Sequence, residues 1–176
     1  NINPFDQPEV EKSKMLTRNL LAEVASGKII VKTNGLSISE LLDNCRPGDY
    51  IGVLAYLPRR AEMEKLLDEI RIELTRITGV PTTLGYGPSY LHSTGQLHKG
   101  GPKNGRFIQI TYDLSCDISV PGEHFSFGDL LMAQSEGDFA AMVDQNIPIT
   151  KCHLGTKKCG GLRRLLNDLR EKDCNI

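Results

Sequence analysis

The chain has no tryptophan, few aromatic residues of any kind, and no apolar run that approaches the length of a bilayer span. Without such a run a membrane-spanning helix is not expected, and the opening NINPFDQPEV does not read as a signal peptide. Excess charge is also missing. Lys and Arg number 21 against 22 Asp and Glu, which argues against a general nucleic-acid binder with a broad basic face. Close cysteine pairs are missing too. The five cysteines are irregularly spaced, which fits free thiols in a reducing, cytoplasmic compartment. Cys152, His153 and Cys159 have no second pair to complete four ligands, so no metal is expected. Neither a G-x-x-x-x-G-K-S/T loop nor a G-x-G-x-x-G fingerprint is present, which excludes the two common nucleotide cradles.

The most informative absence is local. From residue 74 to residue 112 there is no Asp or Glu, while Arg76, Lys99, Lys103 and Arg106 add positive charge. Within that stretch, residues 84–106 read LGYGPSYLHSTGQLHKGGPKNGR and hold six of the 17 glycines. Glycines let backbone N–H groups turn toward a ligand, and unopposed cations supply a counter-charge for a small anion. A long connection of this kind is more often functional than idle, although glycines that merely ease turning would look the same. Inside it, His92, Ser93, Thr94 and Gln96 place an imidazole beside hydroxyls and an amide, and His98 and Lys99 follow. Such groups suit sugar or phosphate oxygens and acid–base chemistry. Tyr86 and Tyr90 are candidates to line the same crevice.

What is present elsewhere reads as alternating elements. Asp6 caps a helix running to residue 25, with Val10, Leu20, Leu21 and Val24 on its apolar stripe. Position 14 falls on that stripe and is Lys14. It either points inward, paired or used, or snorkels from the edge; spacing leaves both open. Strands are expected at 29–33, 50–57, 80–84, 107–112 and 147–154, the last at a sheet edge because of its proline. Helices are expected at 36–45 and 59–78. Another is expected at 127–145, whole or broken near Gly137, and a leucine-faced helix closes the chain. The pattern predicts an α/β domain over 1–154, a mainly parallel sheet with helices on both faces, and a helical tail over 155–176. Ligands of such sheets bind at the carboxyl ends of the strands, where the glycine loop is placed. His124 and His153 read as a solvent-facing and a hydrogen-bonded strand histidine.

Two stretches carry a family resemblance. NPFDQPEVEKSK, residues 3–14, is similar to the N-P/S-F-D-Q-x-x-V-E-x-x-K segment of glucose-6-phosphate isomerases. LGYGPSYLHSTGQLHKGGP, followed by FIQIT and SFGDLLMAQSEGDF, resembles the C-terminal part of the isomerase half of bifunctional transaldolase/glucose-6-phosphate isomerases. The resemblance spans residues 1–154 and implies a sugar-isomerase-like three-layer sandwich. It also implies interconversion of glucose 6-phosphate and fructose 6-phosphate through a cis-enediol, without metal or cofactor. It assigns Lys14 as a catalytic cation with Gln7 nearby, and His92 as the ring-opening histidine. Ser93, Thr94, Gln96, His98 and Lys99 follow as substrate-binding residues.

Departures accompany it. The family's histidine precedes the F-D-Q segment, whereas His92 follows it. The upstream glutamate and the phosphate-binding Ser/Thr loop have no counterpart here. The expectation is therefore part of an isomerase, inactive alone, whose partners are upstream isomerase and transaldolase domains. The alternative is a non-catalytic sugar-phosphate-binding or oligomerisation module, with the leucine-faced tail as a contact for a second copy.

Overall fold

The run YIGVLA at Tyr50–Ala55 (β1) is buried almost throughout, as a central strand covered on both faces must be. The computed structural model describes residues 6–28 and 33–173. β1 pairs in parallel with Thr82–Tyr86 (β2) on one side and with Gly105–Thr111 (β3) on the other. Ile149–His153 (β4) adds to β3, giving a parallel sheet in the order β2-β1-β3-β4 with β4 at an edge. The strand expected at 29–33 falls almost wholly outside the described residues.

Strand alternation divides the core in two. Ile51, Val53, Ala55, Ile108 and Ile110 face Ile38–Asp43 (α2), Ala61–Thr78 (α3) and Lys158–Asp173 (α6). Leu54 and Phe107 face Pro8–Ala25 (α1) and Phe127–Asp144 (α5). The protein is thus an α/β fold with helices on both faces of an all-parallel sheet. α2 starts with a capping box, Ser37 and Glu40 satisfying each other's backbone N–H groups. α1 departs from expectation. It begins after Gln7, whose side chain makes no cap bond, rather than being capped by Asp6.

The glycine-rich connection is not a bare loop. It folds into a 3₁₀ turn, Ser89–His92, and a short helix, Gly95–Gly100 (α4). α5 runs unbroken through Gly137. A Cβ there would lie 2.8 Å from Thr17 Oγ1 and 2.9 Å from the Thr17 backbone nitrogen. The glycine therefore marks where α1 crosses α5 closely, not a helix break. α6 buries Leu162, Leu165, Leu166 and Leu169 in the same cluster as β1. Each such burial contributes about 1.5–3 kcal/mol, so the closing helix shares the main core. Among the described residues no helix is long and apolar enough to cross a membrane.

Candidate functional site

Three of the four cations of the acid-free stretch meet carboxylates from outside it once folded, and Lys103 Nζ donates to the Lys99 carbonyl. Arg76 pairs with Glu73, Arg106 Nε lies 2.8 Å from Asp49 Oδ2, and Lys99 pairs with Asp138 of α5. Lys99 and Asp138 are both fully buried, and Lys99 Nζ also reaches Ser13 Oγ at 2.6 Å. The hydroxyls of Tyr56 and Tyr90 donate to the second oxygen of Asp138. Burial first, then the Asp138 charge, pushes both phenols well above their ordinary range, so both remain donors. Lys99, expected to bind substrate, is instead an interior strut holding α4 against α1 and α5.

The remaining expected site residues do not converge. Lys14 is on the outer side of α1, its side chain 42% exposed and paired with Glu11 at 2.6 Å. The inward place on the stripe goes to its neighbour Ser13, which is buried. This corrects the inward reading of Lys14. Gln7 is exposed and contributes its carbonyl to the first turn of α1. Gln96 Oε1 accepts from the Glu9 backbone N–H at 3.3 Å, tying α4 to the start of α1. His92, Ser93 and Thr94 are exposed. His98 is buried, with Nδ1 2.7 Å from the Tyr50 hydroxyl, and burial holds its pKa below the usual value. His98 and Thr94 share a hollow with Leu97 beside edge strand β2, on walls that are mainly apolar.

A different cleft has the geometry of an α/β ligand site. In the order β2-β1-β3-β4 the chain moves outward from β1 in both directions, so the topological switch lies between β1 and β3. A cleft of about 230 Å³ opens there, at the carboxyl ends of β1, β3 and β4. Tyr56 supplies its floor, with the face of its ring packed on Gly87, where no side chain fits. Thr111, Asp113, Lys151 and His153 come from the strand ends. Residues 128, 131, 132, 135 and 136 of α5 form the opposite wall, at the i, i+3, i+4, i+7 spacing of one helix face.

The polar groups of this cleft are organised in pairs. His153 Nε2 lies 3.1 Å from Asp113 Oδ1, and Nδ1 lies 3.0 Å from Thr111 Oγ1. Lys151 Nζ meets both oxygens of Glu136 at 2.6 Å. At the start of α5, Ser126 and Asp129 form a capping box, and Asp117 accepts from the Gly128 N–H at 2.8 Å. The hydrogen bond from Ser126 is the main reason the Asp117 carboxyl titrates below its ordinary range. The helix terminus that often seats a phosphate in such folds is thus occupied by the chain's own carboxylates. The cleft can hold hydroxyls and move protons.

Asp113, Glu136 and Lys151 were not singled out from the sequence as a site, and His153, read as a hydrogen-bonded strand histidine, is one. For Asp113, Lys151 and His153 the signal was position, in or just after an apolar run of a parallel sheet; Glu136, inside α5, gave none. The cleft lies at the carboxyl ends of the strands, the end of the sheet that the rule names. The loop to which it was applied follows β2, at the edge opposite to β4. Among the described residues, no three His, Cys, Asp or Glu side chains gather as metal ligands. The Cys152 thiol is pushed up to about 11, mainly by burial and then by the Asp168 charge.

No protein-family model matches the chain, and no curated protein matches it significantly. Among solved structures it is similar to a hypothetical protein from Thermus thermophilus, with a TM-score of 0.61 at 16% sequence identity. The match covers 91% of this chain and 43% of that one, so the chain spans less than half the length of that neighbour. At such identity the likeness is one of fold, and the functional reading rests on the cleft itself.

Proposed function

We propose that the chain is the C-terminal lobe of an aldose–ketose isomerase acting on six-carbon sugar phosphates. In this reading the hydroxyl-bearing part of the sugar lies in the cleft at the ends of β1, β3 and β4. The observation that carries it is the juxtaposition, at the topological switch, of a carboxylate-held imidazole and several carboxylate acceptors. Carboxylates accept sugar hydroxyl protons, and an imidazole can carry a proton between oxygens. The cation of the cleft, Lys151, is paired with Glu136, and the His153 ring faces Asp113. The phosphate is therefore assigned to a part of the site outside this cleft. The two sequence segments similar to glucose-6-phosphate isomerases supply the reaction class.

The test is a thermal-shift titration of this chain with fructose 6-phosphate and glucose 6-phosphate, beside inorganic phosphate. A saturable rise in Tm with either sugar phosphate, exceeding that with phosphate alone, is expected. No rise, or an equal rise with inorganic phosphate, removes the reading.

A second reading, a binding module without turnover, is favoured by one observation. Of Lys14 and His92, the pair implied by the resemblance to do the chemistry, Lys14 is half-buried and paired with Glu11 on the outer side of α1, and His92 is exposed. A coupled assay for glucose 6-phosphate formation from fructose 6-phosphate separates the two. Sugar binding without turnover by the protein together with its preceding domains supports the module.

A further inference from the structure

We infer that His153 is the proton-carrying base of the cleft, held in one tautomer by Asp113 and aimed at a ligand hydroxyl through Nδ1. The inference rests on the proposal that the cleft binds a sugar, and adds to it the residue that handles the proton. Thr111 and His153 are direct partners in the β3–β4 register, so the sheet itself sets the ring beside the threonine hydroxyl. Asp113, two residues beyond Thr111, reaches the other ring nitrogen at 3.1 Å.

The partners decide the tautomer. A carboxylate only accepts, so Nε2 carries the proton and donates it to Asp113. Nδ1 is then bare and accepts from the Thr111 hydroxyl at 3.0 Å. This is the order carboxylate, imidazole, hydroxyl in which a carboxylate orients a histidine base. Both Thr111 and His153 line the cleft, so a ligand hydroxyl can take the place of the threonine hydroxyl at Nδ1. The ligand O–H bond then breaks and an N–H bond forms. The electron pair stays on the ligand oxygen, and the imidazolium is balanced by Asp113. Return of the same proton to another oxygen of the ligand closes the cycle.

The surrounding charges come from every adjoining element. Lys151 lies two residues back on β4 and is paired to Glu136 of α5. Asp117 and Asp129 line the cleft too, and Arg164 and Asp168 of α6 line a smaller pocket that also includes His153. A cross-strand pair with a purely structural role would share this tautomer but would not respond to ligand, so the response of Nδ1 to ligand is what separates the two.

The experiment is long-range ¹H–¹⁵N NMR of the histidine rings in the whole chain, free and with saturating fructose 6-phosphate, alongside D113N and H153Q. In the free protein the His153 proton is expected on Nε2; a proton on Nδ1 overturns the inference without reference to any sugar. On adding fructose 6-phosphate the Nδ1 resonance is expected to move. Sugar binding with both His153 nitrogens unmoved overturns the inference and leaves the sugar reading standing. D113N should lose the single tautomer, and H153Q should weaken fructose 6-phosphate binding about fivefold, the net worth of one hydrogen bond. D113N that keeps the wild-type tautomer, or H153Q that binds as tightly as wild type, counts against it. Failure of the wild-type chain to bind the sugar removes the sugar reading and, with it, this assignment.

Discussion

Lys99 and Asp138 meet in the interior with neither side chain exposed to solvent, one from the glycine-rich connection and one from the middle of α5. Around them Ser13, Tyr56 and Tyr90 complete a polar knot that joins α1, β1, the 3₁₀ turn and α4 to α5. Such a pair adds little net stability over apolar residues of the same shape, but breaking it strands a charge.

Replacing Asp138 by Asn is accordingly expected to destabilise the protein by about 3–5 kcal/mol, because the Lys99 ammonium loses its counter-ion without gaining water. The double variant K99M/D138L strands no charge but deprives the Tyr56 and Tyr90 hydroxyls of their acceptor, so it should fall between D138N and wild type. Urea unfolding of the three proteins measures this; a D138N loss under about 1 kcal/mol would show that water reaches Lys99.

Gly137→Ala sets two effects against each other. Alanine favours an exposed helix over glycine by about 1 kcal/mol. Here the added methyl meets Thr17 at 2.8–2.9 Å, and moving α1 away costs about 1–3 kcal/mol. The expected outcome is unchanged helicity by circular dichroism with a lower unfolding midpoint. A raised midpoint would mean that α1 and α5 are not in close contact.

His98 makes stability depend on pH. An ordinary histidine titrates near 6.5, and burial holds folded His98 below that. Between the two values the unfolded chain binds more protons than the folded one, so acid favours unfolding. The stability tied to neutral His98 is complete above the unfolded pKa and drains away as pH falls toward the folded value. The difference in unfolding free energy between wild type and H98Q should therefore shrink from pH 7.5 to pH 5. A difference that is flat or grows in acid would place a charged imidazole in the fold.

Leu166→Ala tests whether the closing helix belongs to the core. Leu166 is buried in the cluster that contains Ile51 and Ile108, and truncating a leucine at such a site costs about 2–5 kcal/mol. Global unfolding should shift as a single transition. A separate early transition for α6, with the main midpoint unmoved, would make it an independent appendage.

The outcome for Lys14 shows what periodicity alone can convey. A stripe at 3.6 residues per turn marks a face, and positions 13 and 14 both border it. Which of the two turns inward depended on Gly137 and Asp138 across the interface, 125 residues away in the chain in the case of Ser13 and Asp138. The same holds for charge. A stretch without Asp or Glu looked like a positive field, yet Asp49, Glu73 and Asp138 all reach into it. Local composition does not measure a local potential when the fold delivers counter-ions such as Asp49 and Asp138 from a distance.

The amino-acid sequence by itself determined the element types. Apolar runs such as YIGVLA read as buried strands, the Met63-to-Leu74 stripe as an inward helix face, and their alternation as a covered parallel sheet, and the fold has all three. Only the tertiary structure decided the strand order β2-β1-β3-β4. With it came the location of the switch, and the meeting of Thr111 and Asp113 with His153 across 40 residues of chain. The physical reason is range. Helix and strand patterns are written in contacts a few residues apart, whereas a cleft is built from strand ends whose neighbours are chosen by packing of the whole core.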